Sequence, residues 1–117
     1  MKNIKLFIDD ERFPEFINQK SEDFIIIRNY NDTIKFLKSL ETIPEFISFD
    51  HDLGLDNNWK IWKTGMDIVK WIVEHDIKNN WKYITNNFQF SVHSQNPVWW
   101  KNISDYLNSY LKFKSKK

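Results

Sequence analysis

Apolar residues along this chain follow two rhythms. Lys5 to Asp9 (KLFID) and Asp23 to Arg28 (DFIIIR) are short apolar runs ending in charge. They are too short for stable helices and predict buried strands. Phe46 to Asp50 (FISFD) predicts a third strand and Phe88 to Val92 (FQFSV) a fourth. Between the runs the period lengthens. Asn31 and Asp32 offer a cap before Ile34, Leu37 and Leu40, whose threes-and-fours spacing predicts a helix closing near Glu41, ahead of Pro44. Ile68, Val69, Ile72 and Val73 form the stripe of a second helix, capped by Thr64, carried to about Ile77 and ended by Asn79 and Asn80. Asn96 and Pro97 open a third, with Trp100, Ile103, Leu107 and Leu111 on its buried face. Leu55 to Lys63 shows no period and predicts a loop.

Strands alternating with helices favour a parallel sheet covered on both faces. With the crossovers of a doubly wound sheet the strand order is 2-1-3-4, and the carboxyl ends of the first and third strands flank the switch point where ligands bind. A length of 117 residues predicts one domain over 1–117, and 41% hydrophobic residues suffice for a core, which excludes a disordered chain. The absence of Cys excludes disulfides, a thiol nucleophile and thiolate metal sites, and points to a reducing compartment. No apolar stretch reaches membrane-spanning length and Met1 to Asp10 lacks a signal-peptide pattern, so the expected location is cytoplasmic and no membrane partner is expected. A net charge of +1 provides no general attraction for nucleic acid. Residues 112–117, with Lys112, Lys114, Lys116 and Lys117, read as a basic, frayed tail.

Three segments place polar groups directly after an apolar run: Asp9-Asp10-Glu11-Arg12, Asp50-His51-Asp52 and His93-Ser94-Gln95-Asn96. Carboxylates converging at strand ends repel one another, so a cation or a proton must stabilise the cluster. Oxygen ligation by Asp9, Asp10 and Asp50, with Asp52 beside them, suits Mg²⁺ or Mn²⁺; recruitment of His51 or His93 shifts the choice toward Mn²⁺, Zn²⁺ or Fe²⁺. A helix opening at Asn96-Pro97 would aim backbone N–H groups at an anion. His93 or His51 then suits general acid–base work, Ser94 and Asn96 hydrogen bonds to phosphoryl oxygens, and Arg12 charge neutralisation. Each piece also has a plainer explanation. Acids after strands are commonly turn or cap residues, and alternation puts His51 on the opposite side from Asp50 and Asp52 unless the chain turns there. His75, between Glu74 and Asp76 late in a helix, reads as a solvated side chain. Among the six Trp, Trp71 and Trp100 sit at core spacing and Trp81 reads as packing under a loop. Trp59, Trp62 and Trp99 are left as candidates for stacking a base, the first two on a lid.

Ile8-Asp9-Asp10, Asp50 and His93-Ser94 together resemble a response-regulator receiver domain. In that family the paired acids and the third-strand Asp hold Mg²⁺, and that Asp accepts phosphate. The resemblance implies a receiver or flavodoxin-like three-layer sandwich. This chain departs by lacking a fifth strand and the Lys that follows it. The fuller string LFIDDERFP, FISFDHDLG, TGMDIVKWI and SVHSQNP is similar to the cyclic-phosphate processing receiver-like family over about residues 4 to 107. That resemblance adds Thr64, Gly65 and Asp67 to Ser94 and Asn96 as substrate-binding positions. It implies a receiver scaffold acting on cyclic phosphates, either cyclic nucleotides or RNA ends.

The expected function is therefore metal-dependent opening of a cyclic phosphate. Two rivals stand beside it. One is a non-catalytic module that binds a phosphate-bearing ligand or a protein partner; the other sequesters a nucleotide by stacking. The pair His51 and His93, for which a phosphate sensor has no need, favours the enzyme.

Overall fold

The computed structural model describes residues 4–9, 14, 20–49, 65–92 and 97–115, the side chains of 21 and 97–100 apart. Within them four strands and three α-helices alternate: β1 (Lys5–Ile8), β2 (Ile25–Ile27), α1 (Tyr30–Lys38), β3 (Phe46–Phe49), α2 (Gly65–Lys78), β4 (Gln89–Val92) and α3 (Pro97–Lys114). A 3₁₀ turn over Ser21–Asp23 leads into β2. The sheet order is β2-β1-β3-β4 and every pairing is parallel, as the alternation of elements predicts. No helix among the described residues is long and apolar enough to cross a membrane.

Strand alternation sends Leu6, Ile8, Ile47, Phe49 and Val92 to one face, where they join Leu37 of α1, Ile68, Val69 and Ile72 of α2, and Ile103 and Leu107 of α3 in one core. The connections β2–α1–β3 and β3–α2–β4 advance in the same direction, so right-handed crossovers put both helices on that face. Strand alternation sends Phe7 to the other face. There Phe7, fully buried, meets Phe24 edge to face at 6.1 Å, and Phe24 meets Phe46 at 6.0 Å. β2 is an edge strand with Ile25 41% exposed, which corrects the expectation of a buried strand. Its continuous Ile run reports β-propensity rather than burial on both faces.

The first helix begins two residues earlier than its cap candidates imply. Asn29 is the N-cap: its extended backbone lets its side chain accept the Asp32 N–H at 2.8 Å, while its amide donates to the Asp32 carboxylate at 2.9 Å. Asn31 and Asp32 thus lie inside the first turn, where an acid is favoured by the helix dipole. At the end of α2, Asn80 takes a left-handed conformation (φ 58°), followed by Trp81 (φ 62°), whose N–H returns to the Asp76 carbonyl at 2.8 Å. Trp81 is 41% exposed and does not pack under a loop as expected.

The largest departure from expectation lies where α2 and α3 end. Asp76 continues the apolar stripe of α2 and is fully buried. Lys114 continues the stripe Ile103, Leu107, Tyr110, Leu111 of α3, so the two polar residues face each other. The Lys114 ammonium donates to both Asp76 oxygens at 3.0 and 3.2 Å and to the Ile84 carbonyl at 2.6 Å. Tyr110 donates its hydroxyl to Asp76 at 2.6 Å and the Ile84 N–H donates at 2.8 Å. Burial and the Asp76 acceptor together push the Tyr110 phenol well above its usual range. The helix therefore runs on through residues 112–114, expected to be a frayed tail, because the stripe ends in a partnered charge rather than a solvated one.

His75 also differs from its expected solvated state. Its ring stacks on Trp71 at 4.6 Å and meets Tyr83 edge to face at 4.6 Å. Tyr83 is itself fixed by donating its hydroxyl to the Leu37 carbonyl at 2.9 Å. Burial, reinforced by Lys78 and Lys38, holds the imidazole below its usual pKa despite the Asp76 carboxylate.

Two outcomes follow for stability. Asp76→Ala leaves the Lys114 ammonium and the Ile84 N–H without their shared acceptor and should lower unfolding free energy by about 3–5 kcal/mol, read as a shift in urea midpoint. A change within about 0.5 kcal/mol, the range of an ordinary surface substitution, would refute the role of the cluster. For His75, the unfolded chain takes up a proton first as pH falls. Its contribution is thus complete above about pH 6.5 and is lost as pH falls through the folded-state value. His75→Phe, which keeps the stack but never charges, should flatten the dependence of urea midpoint on pH between about 7 and 5 relative to the wild type.

Candidate functional site

Parallel pairing brings the carboxyl ends of all four strands to one edge. The register makes their last residues a single row: Ile27, Ile8, Phe49 and Val92, each the Cα partner of its neighbour. The residues that follow this row in sequence are Arg28, Asp9, Asp50 and His93. Three of those four are the chemistry-bearing positions that the strand-end pattern singles out. The fourth, Arg28, closes β2 and was not among them.

Asp9 is fully buried. Its N–H donates to the Ile27 carbonyl at 3.2 Å and its own carbonyl accepts from Arg28 Nη1 at 3.3 Å. The Asp9 side chain is thus held out of water at the end of β1, with the half-buried Arg28 guanidinium on its backbone carbonyl. This is an oxygen donor at the edge where a doubly wound sheet receives ligands. Among the described residues no three His, Asp or Glu side chains gather to hold a metal ion, and the other expected ligands, Asp10, Asp50 and Asp52, lie outside those residues.

The helix N-termini share this edge. Gly65 opens α2 and is buried, and Asp67 in its first turn is half-buried. Tyr30 opens α1, and its phenol is raised above the ordinary value first by burial and then by the carboxylates of Asp67 and Glu74. The structure therefore brings the family-implied Asp67 into electrostatic reach of Tyr30, a residue that sequence reasoning did not select. Pro97 is the first residue of α3, as its fixed φ and missing N–H favour. Thr64, His51, His93, Ser94, Asn96, Arg12, Trp59 and Trp62 lie outside the described residues, as does the side chain of Trp99. A groove of about 560 Å³ between α2 and α3, lined by Met66, Val73, Tyr106, Tyr110 and Phe113 among others, contains none of the candidate residues.

A doubly wound, all-parallel sheet in the order 2-1-3-4, with a buried acid at its switch point, defines the receiver or flavodoxin-like class. Within that class the chain belongs to the cyclic-phosphate processing receiver domain family, which it matches over residues 4–109. Neither a curated protein sequence nor a solved structure matches it.

Arg28 and Tyr30 had a signal in the sequence: a cation and a phenol directly after the second apolar run, the counterpart of the acids after the first. The strand order alone does not reveal the role of Arg28, because its guanidinium reaches a backbone carbonyl of the neighbouring strand, a contact that residue type does not encode. Because burial ranks ahead of charge in raising Tyr30, Asp67→Asn should lower the phenol's pKa only part of the way toward 10. NMR titration of the Tyr30 ring resonances measures this, and no downward shift would place Asp67 outside its field.

Proposed function

We propose that this domain hydrolyses a cyclic phosphodiester with the help of a divalent cation. The observation carrying this reading is the row at the strand ends: a fully buried Asp9 at the switch point, in register with chain ends that continue into Asp50 and His93. Asp9, Asp10 and Asp50, with Asp52, would hold Mg²⁺ or Mn²⁺. When bound, the cation supplies Lewis acidity toward the phosphoryl oxygens and eases deprotonation of the attacking water.

The remaining steps belong to the chain's own residues. Water oxygen attacks phosphorus, one ring P–O bond breaks, and the product is a phosphomonoester with a free hydroxyl. One of His51 and His93 takes the water proton and the other protonates the departing oxygen. Arg12, Ser94 and Asn96 neutralise or hydrogen-bond the charge that builds on the phosphoryl oxygens, and Thr64, Gly65 and Asp67 bind the substrate at the opening of α2. The substrate class is a cyclic nucleotide or an RNA end bearing a 2′,3′-cyclic phosphate, with Trp59, Trp62 or Trp99 available to stack its base.

Phosphorus NMR tests this with protein, Mg²⁺ or Mn²⁺, and a panel of 2′,3′- and 3′,5′-cyclic nucleotides plus RNA ending in a 2′,3′-cyclic phosphate. The expected result is conversion of one cyclic signal to a phosphomonoester, slowed at least about 10²-fold in Asp50→Asn with its circular dichroism unchanged. Full activity in that variant would overturn the assignment. Line broadening of one ligand without turnover would replace the enzyme by a binding module.

A further inference from the structure

The geometry points to Arg28 as the positioning residue that fixes Asp9 for its work at the sheet edge. This rests on the metal-assisted reading above and deepens it. β1 is hydrogen-bonded on both sides, but β2 ends at Ile27 and the chain turns into the N-cap Asn29 and α1. Asp9 lies one residue past the last ladder pair, Ile8 and Ile27. A buried carbonyl there needs a donor, since an unpaired one costs free energy comparable to a lost hydrogen bond. The Arg28 guanidinium donates to it at 3.3 Å, while the Ile27 carbonyl accepts the Asp9 N–H at 3.2 Å. Consecutive residues at the end of β2 therefore grip both backbone polar groups of Asp9, and the grip defines where its buried side chain starts.

The sign of the effect separates this role from simple charge. A cation near a metal site repels the metal, so if Arg28 acted only through its charge, removing it would tighten metal binding. If it positions Asp9, removing it loosens a ligand and weakens binding, in the range of 10–100-fold known for groups that orient metal ligands. Arg28→Met keeps much of the volume without donor or charge. Arg28→Lys keeps the charge and one donor.

Titration of the full chain with Mn²⁺, followed by the electron paramagnetic resonance signal of the free ion, reads the difference, with thermal unfolding alongside. The expected result is an affinity about tenfold or more weaker in Arg28→Met, largely restored in Arg28→Lys, with both variants folded at the assay temperature. Equal or tighter Mn²⁺ binding by Arg28→Met overturns the positioning role. So does unchanged Mn²⁺ affinity with a raised KM for the cyclic phosphate, which would make Arg28 a substrate contact. A wild type that binds no Mn²⁺ overturns the metal reading itself and this inference with it. If Arg28→Met does not fold, Arg28→Lys decides: Mn²⁺ affinity above the wild type's refutes the role, and a modest loss without loss of folding supports it.

Discussion

The parallel pairing of β1 on both of its edges, to β2 and to β3, is the constraint from which the rest of the architecture follows. Parallel neighbours cannot be joined by a hairpin, so each step between strands must cross a face of the sheet. The crossovers through α1 and α2 then share one face and bury the core of Leu6, Ile8, Ile47 and Phe49. They also force every strand to end, and every helix to begin, at the same edge. The last residues of all four strands therefore form one row at that edge.

The two edges of the sheet divide the work. At the edge where the helices end, Asp76, Tyr110, Lys114 and the Ile84 backbone form a cluster in which the buried carboxylate has a donor on each oxygen. Such a cluster is destabilising when broken and has no open position, so its role is to fix α2, α3 and the entry to β4 against one another. At the opposite edge Asp9 is buried, set between strands that are followed in sequence by further acids, histidines and helices. The satisfied polar cluster thus lies at one rim, and the other is the rim at which open α/β sheets receive ligands.

Membership of the cyclic-phosphate processing receiver family is consistent with this rim. A receiver scaffold supplies acids from the first and third strands. In sequence the third and fourth strands of this chain are followed by His51 and His93. Arg28 extends the same logic to the second strand. Each of the four strands is thus followed by a charged or titratable side chain, and the one from β2 acts on its neighbour's backbone.

The sequence by itself determined the kinds of elements, their order and the residues that follow each strand, because periodicity and run length are local properties of the chain. Four strands, three helices, the parallel sheet and its 2-1-3-4 order were all legible, as was the placement of Asp9 at the end of β1. What only the tertiary structure decided were relations between segments distant in sequence. Asp76 and Lys114 look like ordinary surface charges until α2 and α3 are laid side by side, and His75 looks solvated until Trp71 and Tyr83 close on it. Ile25 looks buried from its apolar run, and only the packed sheet shows how much of it stays exposed. Arg28 acquires a role only when its guanidinium is seen to reach the Asp9 carbonyl. In each case the free energy depends on desolvation and on a partner, and neither is written in the local pattern of a single segment.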